Sequence, residues 1–224
     1  MTETATCRAC GTEPRAGARY CDACGAPVTS TPGAEYKQVT VLFADVVRSM
    51  DIAATLGAER LREIMSDLFN HSAAVVRRYG GTVDKFTGDG IMAIFGAPVA
   101  LEDHAFRSCL AALEIQQQTA GLALQVKARD GLDLQLRIGL SSGQVITGEV
   151  GSDTMSYTAI GEHVGMAQRM ESVAPAGGVM LTESTAHLVE GTMLLGEPEM
   201  VQVKGADHPI RARRLLELNS AHNL

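Results

Sequence analysis

Two aspartates and four cysteines carry the strongest chemical signal in this chain of 224 residues. Asp45 ends an apolar, β-branched run, Val39-Thr-Val-Leu-Phe-Ala44, and Asp89 sits in the turn Thr87-Gly-Asp-Gly90 between two further apolar runs. If the hairpin around that turn pairs beside the first strand, the two carboxylates converge. Oxygen-only ligands of this kind suit Mg2+ or Mn2+, with phosphate oxygens completing the shell. Singly, each aspartate has a plainer explanation, because Asp often caps a turn and Asp-Gly is a common hairpin tip. Cys7, Cys10, Cys21 and Cys24 form two Cys-x2-Cys pairs. Each pair puts two sulfurs on one tight turn, and two such knuckles close a tetrahedral thiolate site around one structural Zn2+. Gly11 and Gly25 follow the second cysteine of each pair, where the backbone must turn sharply. So short a segment builds no apolar core, so the metal would supply its folding energy.

Positioning the aspartates requires interleaved strands and helices. The run 39–44 is apolar on both faces, as a central strand is, and 82–86 and 91–95 read as a hairpin about the Asp-Gly turn. Residues 56–79 carry apolar side chains at three- and four-residue steps and predict a long helix ended by Gly80-Gly81. A second helix is predicted from Asp103 to Thr119, with Cys109 as core filler on its apolar side. Leu134–Leu140 and Gln144–Glu149 read as two strands separated by Ser141-Ser-Gly143, and Tyr157–Ile160 as a third. A helix follows Gly161, then a strand at 179–181, a short helix capped by Thr182, and a closing pair at 200–203 and 210–215.

Composition narrows the class. The chain is 46% hydrophobic and 20% charged, within the globular norm, and 19 basic against 26 acidic residues give a net charge of −7. Without a basic block, nucleic acid is not an expected partner. No run approaches the roughly eighteen apolar residues of a membrane span, and the N-terminus lacks a signal-peptide pattern. The expected compartment is the cytoplasm, where reduced thiols favour metal binding over disulfides. Val28–Ala34, small and polar with a Pro-Gly turn, has linker chemistry. The expected organisation is a zinc-binding segment over 1–28, a linker over 29–35, the main domain over 36–217 and a tail over 218–224.

The main domain resembles the catalytic domain of class III nucleotidyl cyclases, the adenylyl and guanylyl cyclases, from about Val39 to Leu215. The resemblance rests on Val-Leu-Phe-Ala-Asp45-Val, Asp84-Lys85-Phe-Thr-Gly-Asp89-Gly-Ile-Met-Ala, Arg137-Ile-Gly-Leu-Ser-Ser-Gly143, Tyr157-Thr158-Ala-Ile-Gly161, Arg169-Met-Glu and Val203-Lys204-Gly205, in order over one domain. The Gly-Gly-Asp/Glu-Glu-Phe signature of diguanylate cyclases is absent. The N-terminal segment resembles a short zinc ribbon. The implied fold is α+β, a ferredoxin-like, palm-type antiparallel-rich sheet flanked by helices and preceded by the ribbon.

The resemblance implies an adenylate cyclase that converts ATP to 3′,5′-cyclic AMP and pyrophosphate. It assigns Asp45, Asp89 and the backbone carbonyl of Val46 to two Mg2+ or Mn2+ ions per site, and Arg169 to the charge on the transferring phosphate. Lys204 is assigned to the outer phosphates. Lys85 is placed to donate to adenine N1 and Thr158 to accept from the N6 amino group; guanine presents the reverse pattern, so the pair favours ATP. Nucleotide-binding groups and metal acids come from opposite subunits of a head-to-tail homodimer in this family, and the ribbon offers a surface to another protein. Two places depart from the pattern. Gly165 stands where the family carries a ribose-orienting asparagine, leaving Gln168 as the nearest amide, and Arg48-Ser49 stands in the turn where a small residue, often Gly, is usual. These departures imply low activity, or a cyclase-like module that binds nucleotide or a partner without turnover.

Overall fold

The computed structural model describes residues 7, 10–13, 15, 18, 20–25, 35–150 and 156–219, leaving aside the side chains at 148–150 and 156–158. The chain divides into two compact units, Met1–Glu35 and Tyr36–Leu224. Positions 29–34 of the expected linker and 220–224 of the expected tail lie outside the described residues.

In chain order the described elements of the larger unit are β1 (Glu35–Val46), α1 (Ser49–Leu56), α2 (Ala58–Arg78), β2 (Thr82–Phe86), β3 (Gly90–Phe95), α3 (His104–Asp130), β4 (Leu136–Val150), β5 (Ser156–Ile160), α4 (Glu162–Val173), β6 (Val179–Thr182), α5 (Glu183–Val189), β7 (Met193–Leu195), β8 (Glu199–Val201) and β9 (Ile210–Leu218). They build one mixed sheet in the order β2-β3-β1-β4-β6-β9-β7, with β5 paired to β4 and β8 to β9. β3 pairs antiparallel with β1 and β2, β4 with β5, and β9 with β6, β7 and β8, while β4 and β6 run parallel.

β1 is apolar on both faces because both are covered. Leu42, Ala44 and Val46 join Ile64, Leu68, Val76, Ile115 and Val126 in the main core under α2 and α3. Val39, Val41 and Phe43 face the other way, into a second cluster with Met92, Val145 and Ala167 of α4. Helix α4 lies directly on β4 because two glycines share that strand face. A methyl group at Gly139 would overlap the backbone of Ala167 and Glu171, and one at Gly143 would overlap the His163 ring.

Several expectations are corrected. The helix expected over 56–79 is α2, entered at Gly57 with φ 81°, and it is preceded by a short helix, α1, that the expectation did not include. α3 runs past Thr119 to Asp130 because buried Leu122 and Val126 continue its apolar stripe, and it ends at Gly131 in the left-handed region. β4 is one strand across Ser141-Ser-Gly143. The hydroxyls that suggested a turn are bonded within the protein: Ser142 Oγ lies 2.7 Å from Thr40 Oγ1 and accepts from Thr185 at 2.9 Å, and Ser141 Oγ is 3.1 Å from His163 Nδ1. Thr182 precedes α5 but makes no side-chain cap; its hydroxyl bonds those of Ser184 and Thr185. Cys109 is fully buried core, its thiol pushed up to about 12 by burial.

Candidate active site

The β1–β3 register sets Asp45 opposite Gly90, the residue after Asp89. Gly90 permits the approach: a Cβ there would stand 2.6 Å from the Ala44 carbonyl and 2.9 Å from Asp45 Oδ1. The hairpin tip Thr87–Asp89 closes with Thr87 N–H donating to Gly90 O at 2.9 Å, and Gly88, not Asp89, takes the positive φ. Val46 N–H donates to the Asp89 carbonyl at 3.1 Å, tying the tip to the end of β1. Ser49 Oγ donates to Asp89 Oδ2 at 2.6 Å.

Burial pushes Asp45 up to about 7, and the Asp89 and Glu171 carboxylates add to the shift against the opposing pull of Arg137. Arg137 Nη2 stands 3.8 Å from Asp45 Oδ2, and its Nε 3.1 Å from Glu171 Oε1, itself raised by burial. Two half-buried carboxylates within hydrogen-bonding reach, with a third beside them and one guanidinium to offset them, make an oxygen-rich site short of positive charge. A hard divalent cation fits that donor set.

The groups assigned to nucleotide divide into two places. Lys85 Nζ lies 3.1 Å from Asp84, whose carboxylate is fully buried while the lysine side chain is about half exposed. The β2–β3 register slips between Val83 and Lys85, a β-bulge that accommodates Asp84 as the extra residue. Thr158 lies in β5 opposite Gly148, with its side chain outside the described residues. On α4, Arg169 Nη1 reaches Met166 Sδ at 3.6 Å, and the Lys204-Gly205 turn comes close, with a Gly205 Cβ position 3.7 Å from Arg169 Nη2. Lys204 and Gln168 are exposed. Among the described residues no hydrogen bond or ion pair joins Arg169 to Asp45 or Asp89. Arg48 holds a left-handed conformation, φ 54° and ψ 41°, and lines a cleft of about 430 Å³ with Val47, Asp51 and Gln135. The sequence pattern places Ser49 in the departing turn and Glu171 at the end of the Arg169-Met-Glu motif, but not their contacts at the site, because each meets a residue distant in the chain.

In the smaller unit the Sγ atoms of Cys7, Cys10, Cys21 and Cys24 all lie within 4.8 Å of one another. Gly11 N–H donates to Cys7 O and Gly25 N–H to Cys21 O, each at 2.8 Å, and both glycines have positive φ. The two knuckles therefore repeat one geometry. Hydrogen bonding with Thr12 pulls the Cys10 thiol down to about 6. Four sulfurs clustered this closely are compatible with a zinc ribbon.

Residues 32–213 match the family described as the adenylate and guanylate cyclase catalytic domain. An adenylate cyclase of Mycobacterium tuberculosis is 29% identical over 171 residues, 76% of this chain and 38% of that protein. A membrane guanylyl cyclase of Dictyostelium discoideum is 27% identical over 73% of this chain and 11% of its own length. The chain thus spans well under half of these relatives. Among solved structures, the adenylyl cyclase CyaB from P. aeruginosa superposes with a TM-score of 0.79 at 27% identity, covering 84% of this chain and 97% of that one. The guanylate cyclase domain of RhGC from Catenaria anguillulae, in complex with GTP, gives 0.74 at 26% identity, covering 83% and 100%. No described helix is long and apolar enough to cross a membrane. With its sheet order, its converging aspartates and this match over most of its length, the chain belongs to the class III adenylyl and guanylyl cyclase catalytic domain family.

Proposed function

We propose that the domain is an adenylate cyclase working at the interface of a head-to-tail homodimer, with low turnover. The observation that carries this reading is the convergence of Asp45 and Asp89, set by the β1–β3 register that places Asp45 opposite Gly90, in a site short of positive charge. In the reaction the ribose 3′-oxygen attacks the α-phosphorus and the bond from that phosphorus to the oxygen bridging the β-phosphate breaks. The 3′-hydroxyl proton goes to solvent and pyrophosphate leaves. Asp45, Asp89 and the Val46 carbonyl would hold two Mg2+ or Mn2+ ions, which supply Lewis-acid activation of the hydroxyl and neutralise phosphate charge when bound. Arg169 meets the charge developing on the transferring phosphate and Lys204 the outer phosphates, so the chain's part is mainly positioning and electrostatics.

Base choice falls to Lys85 and Thr158. An ammonium has only donors, and adenine N1 is an acceptor where guanine N1 is a donor. A Thr hydroxyl both donates and accepts, so rejection of GTP should be weaker than with a carboxylate at position 158. The four cysteines would hold one structural zinc, in a cytoplasmic compartment that keeps them reduced. The test is cyclic AMP and cyclic GMP yield from purified protein with ATP or GTP and Mn2+ or Mg2+, against Asp89→Ala. ATP should be preferred, and Lys85→Glu should erode the preference; chiefly cyclic GMP from the wild type would refute the base assignment. Gly165 favours a second reading, a nucleotide-binding module without turnover. ATP binding with no product in any variant would select it.

A further inference from the structure

Asp89 is poorly held by its own strand. It sits in a tip of three residues between Gly88 and Gly90, and neither glycine offers a side chain to pack against it. Asp45 is different, since it lies in register within β1 and faces Arg137. A pair of metal-binding carboxylates in which one can rotate freely must lose that freedom on each binding event, and outer-shell hydrogen bonds prevent this in metal sites generally.

Such a bond exists here. Ser49 is the first residue of α1 and is only 6% exposed, yet its hydroxyl does not serve its own helix; it reaches across the chain to Asp89 Oδ2 at 2.6 Å. Its place is fixed from several sides. Arg48 in the left-handed region turns the chain out of β1, Val47 N–H donates to Gln135 O at 2.9 Å, and Asp51 and Ile52 N–H donate to Arg48 O at 3.0 and 3.2 Å. With the Val46 N–H on the Asp89 carbonyl, this turn grips Asp89 at both its backbone and its side chain. A carboxylate oxygen has two lone pairs, so the Ser49 bond leaves Oδ1 and one lone pair of Oδ2 for a cation.

We infer that Ser49 is a positioning residue for the divalent-metal site, fixing the Asp89 carboxylate through its hydroxyl so that Asp89 and Asp45 meet the ion together. This rests on the two-carboxylate reading above. Loss of such an outer-shell bond typically weakens metal binding about 10- to 100-fold.

The test is Mn2+ titration of the full chain without nucleotide, following the electron paramagnetic resonance of free Mn2+, for wild type, Ser49→Ala, Ser49→Thr and Asp89→Asn. Melting temperatures in excess chelator run beside it. Ser49→Ala should bind Mn2+ about tenfold or more weakly at an unchanged metal-free melting temperature, and Ser49→Thr should recover part of the affinity. In the cyclase assay Ser49→Ala should need more Mn2+ for half-maximal rate while approaching wild-type kcat at saturation. Wild-type affinity in Ser49→Ala would overturn the proposal, as would a loss that merely tracks a lower metal-free melting temperature. Wild-type Mn2+ binding that Asp89→Asn leaves intact would instead overturn the two-carboxylate reading, and the role of Ser49 with it.

Discussion

A Cβ at Gly165 would meet no atom within 4 Å, so the position that lacks the family's asparagine has room for one. Gly165→Asn should therefore fold, gaining a few tenths of a kcal/mol in helix propensity. If the missing amide limits the rate, kcat should rise roughly tenfold or more with little change in KM, because an amide that meets the ribose in its reactive pucker acts on the transition state. Gln168 is exposed and three residues along α4, and Gln168→Ala should lower kcat if it has taken over that role. A wild-type rate in both variants would remove the ribose from the explanation of slow turnover. Asp45 carries a second consequence at this scale. Its folded pKa is raised from 3.8 to about 7, so the metal-free folded state binds the proton more tightly than the unfolded chain. Stability from this group is full below about pH 4, falls as pH rises through the window up to about 7, and is flat beyond. A divalent cation needs the ionised form, so apparent Mn2+ affinity should climb with pH to about 7 and level off. Thermal melts with and without Mn2+ at pH 5 and pH 8 measure both trends; identical pH profiles for wild type and Asp45→Asn would contradict them.

The two knuckles of the smaller unit have no apolar core among the described residues beyond buried Cys7 and Cys21. Zinc should therefore hold this element together: protein purified without added metal should contain one zinc per chain, and a strong chelator should release it and expose four titratable thiols. Absence of zinc with four freely reacting thiols in the native protein would defeat the assignment. This element was readable because ligand type and spacing sit within one short segment. The β1–β3 pairing was readable for a similar reason, as two apolar runs flank an Asp-Gly turn. Where the reading went astray, a distant partner overrode the local signal. Ser141-Ser-Gly143 has turn composition, but Thr40, Thr185 and His163 satisfy the serines and His163 covers the glycine, so β4 runs straight through. Helix α1 was invisible because only Ser49 and Ile52 of its eight residues are buried, too few to show a period. Ser49 and Glu171 lay in motifs the sequence showed, but their roles were not legible because their partners, Asp89 and Arg137, stand 40 and 34 positions away.

At the scale of the molecule, one helix sends its charged residues to two destinations. Glu171 of α4 meets Arg137, which meets Asp45, so this face of the helix belongs to the chain's own acids. Arg169 stands two residues earlier, about 200° around the helix axis, beside Met166 and the Lys204-Gly205 turn. Among the described residues Arg169 makes no hydrogen bond or ion pair with the same chain's Asp45 or Asp89, which favours the shared-site reading proposed above. The arrangement works if a second copy brings its Arg169 and Lys204 to the first copy's acids, with the reverse at the other site. A chain carrying Asp45→Ala and Asp89→Ala should then be inactive alone, as should an Arg169→Ala chain. Mixed in equal amounts and allowed to exchange, half the dimers would be mixed and each would hold one intact site of two, giving about a quarter of wild-type activity. The measurement is cyclic AMP production by the mixture, with differently tagged chains co-purified to establish that mixed dimers form. Silence from demonstrated mixed dimers, beside an active wild type, would place all the catalytic groups of each site in one chain and exclude the shared-site arrangement.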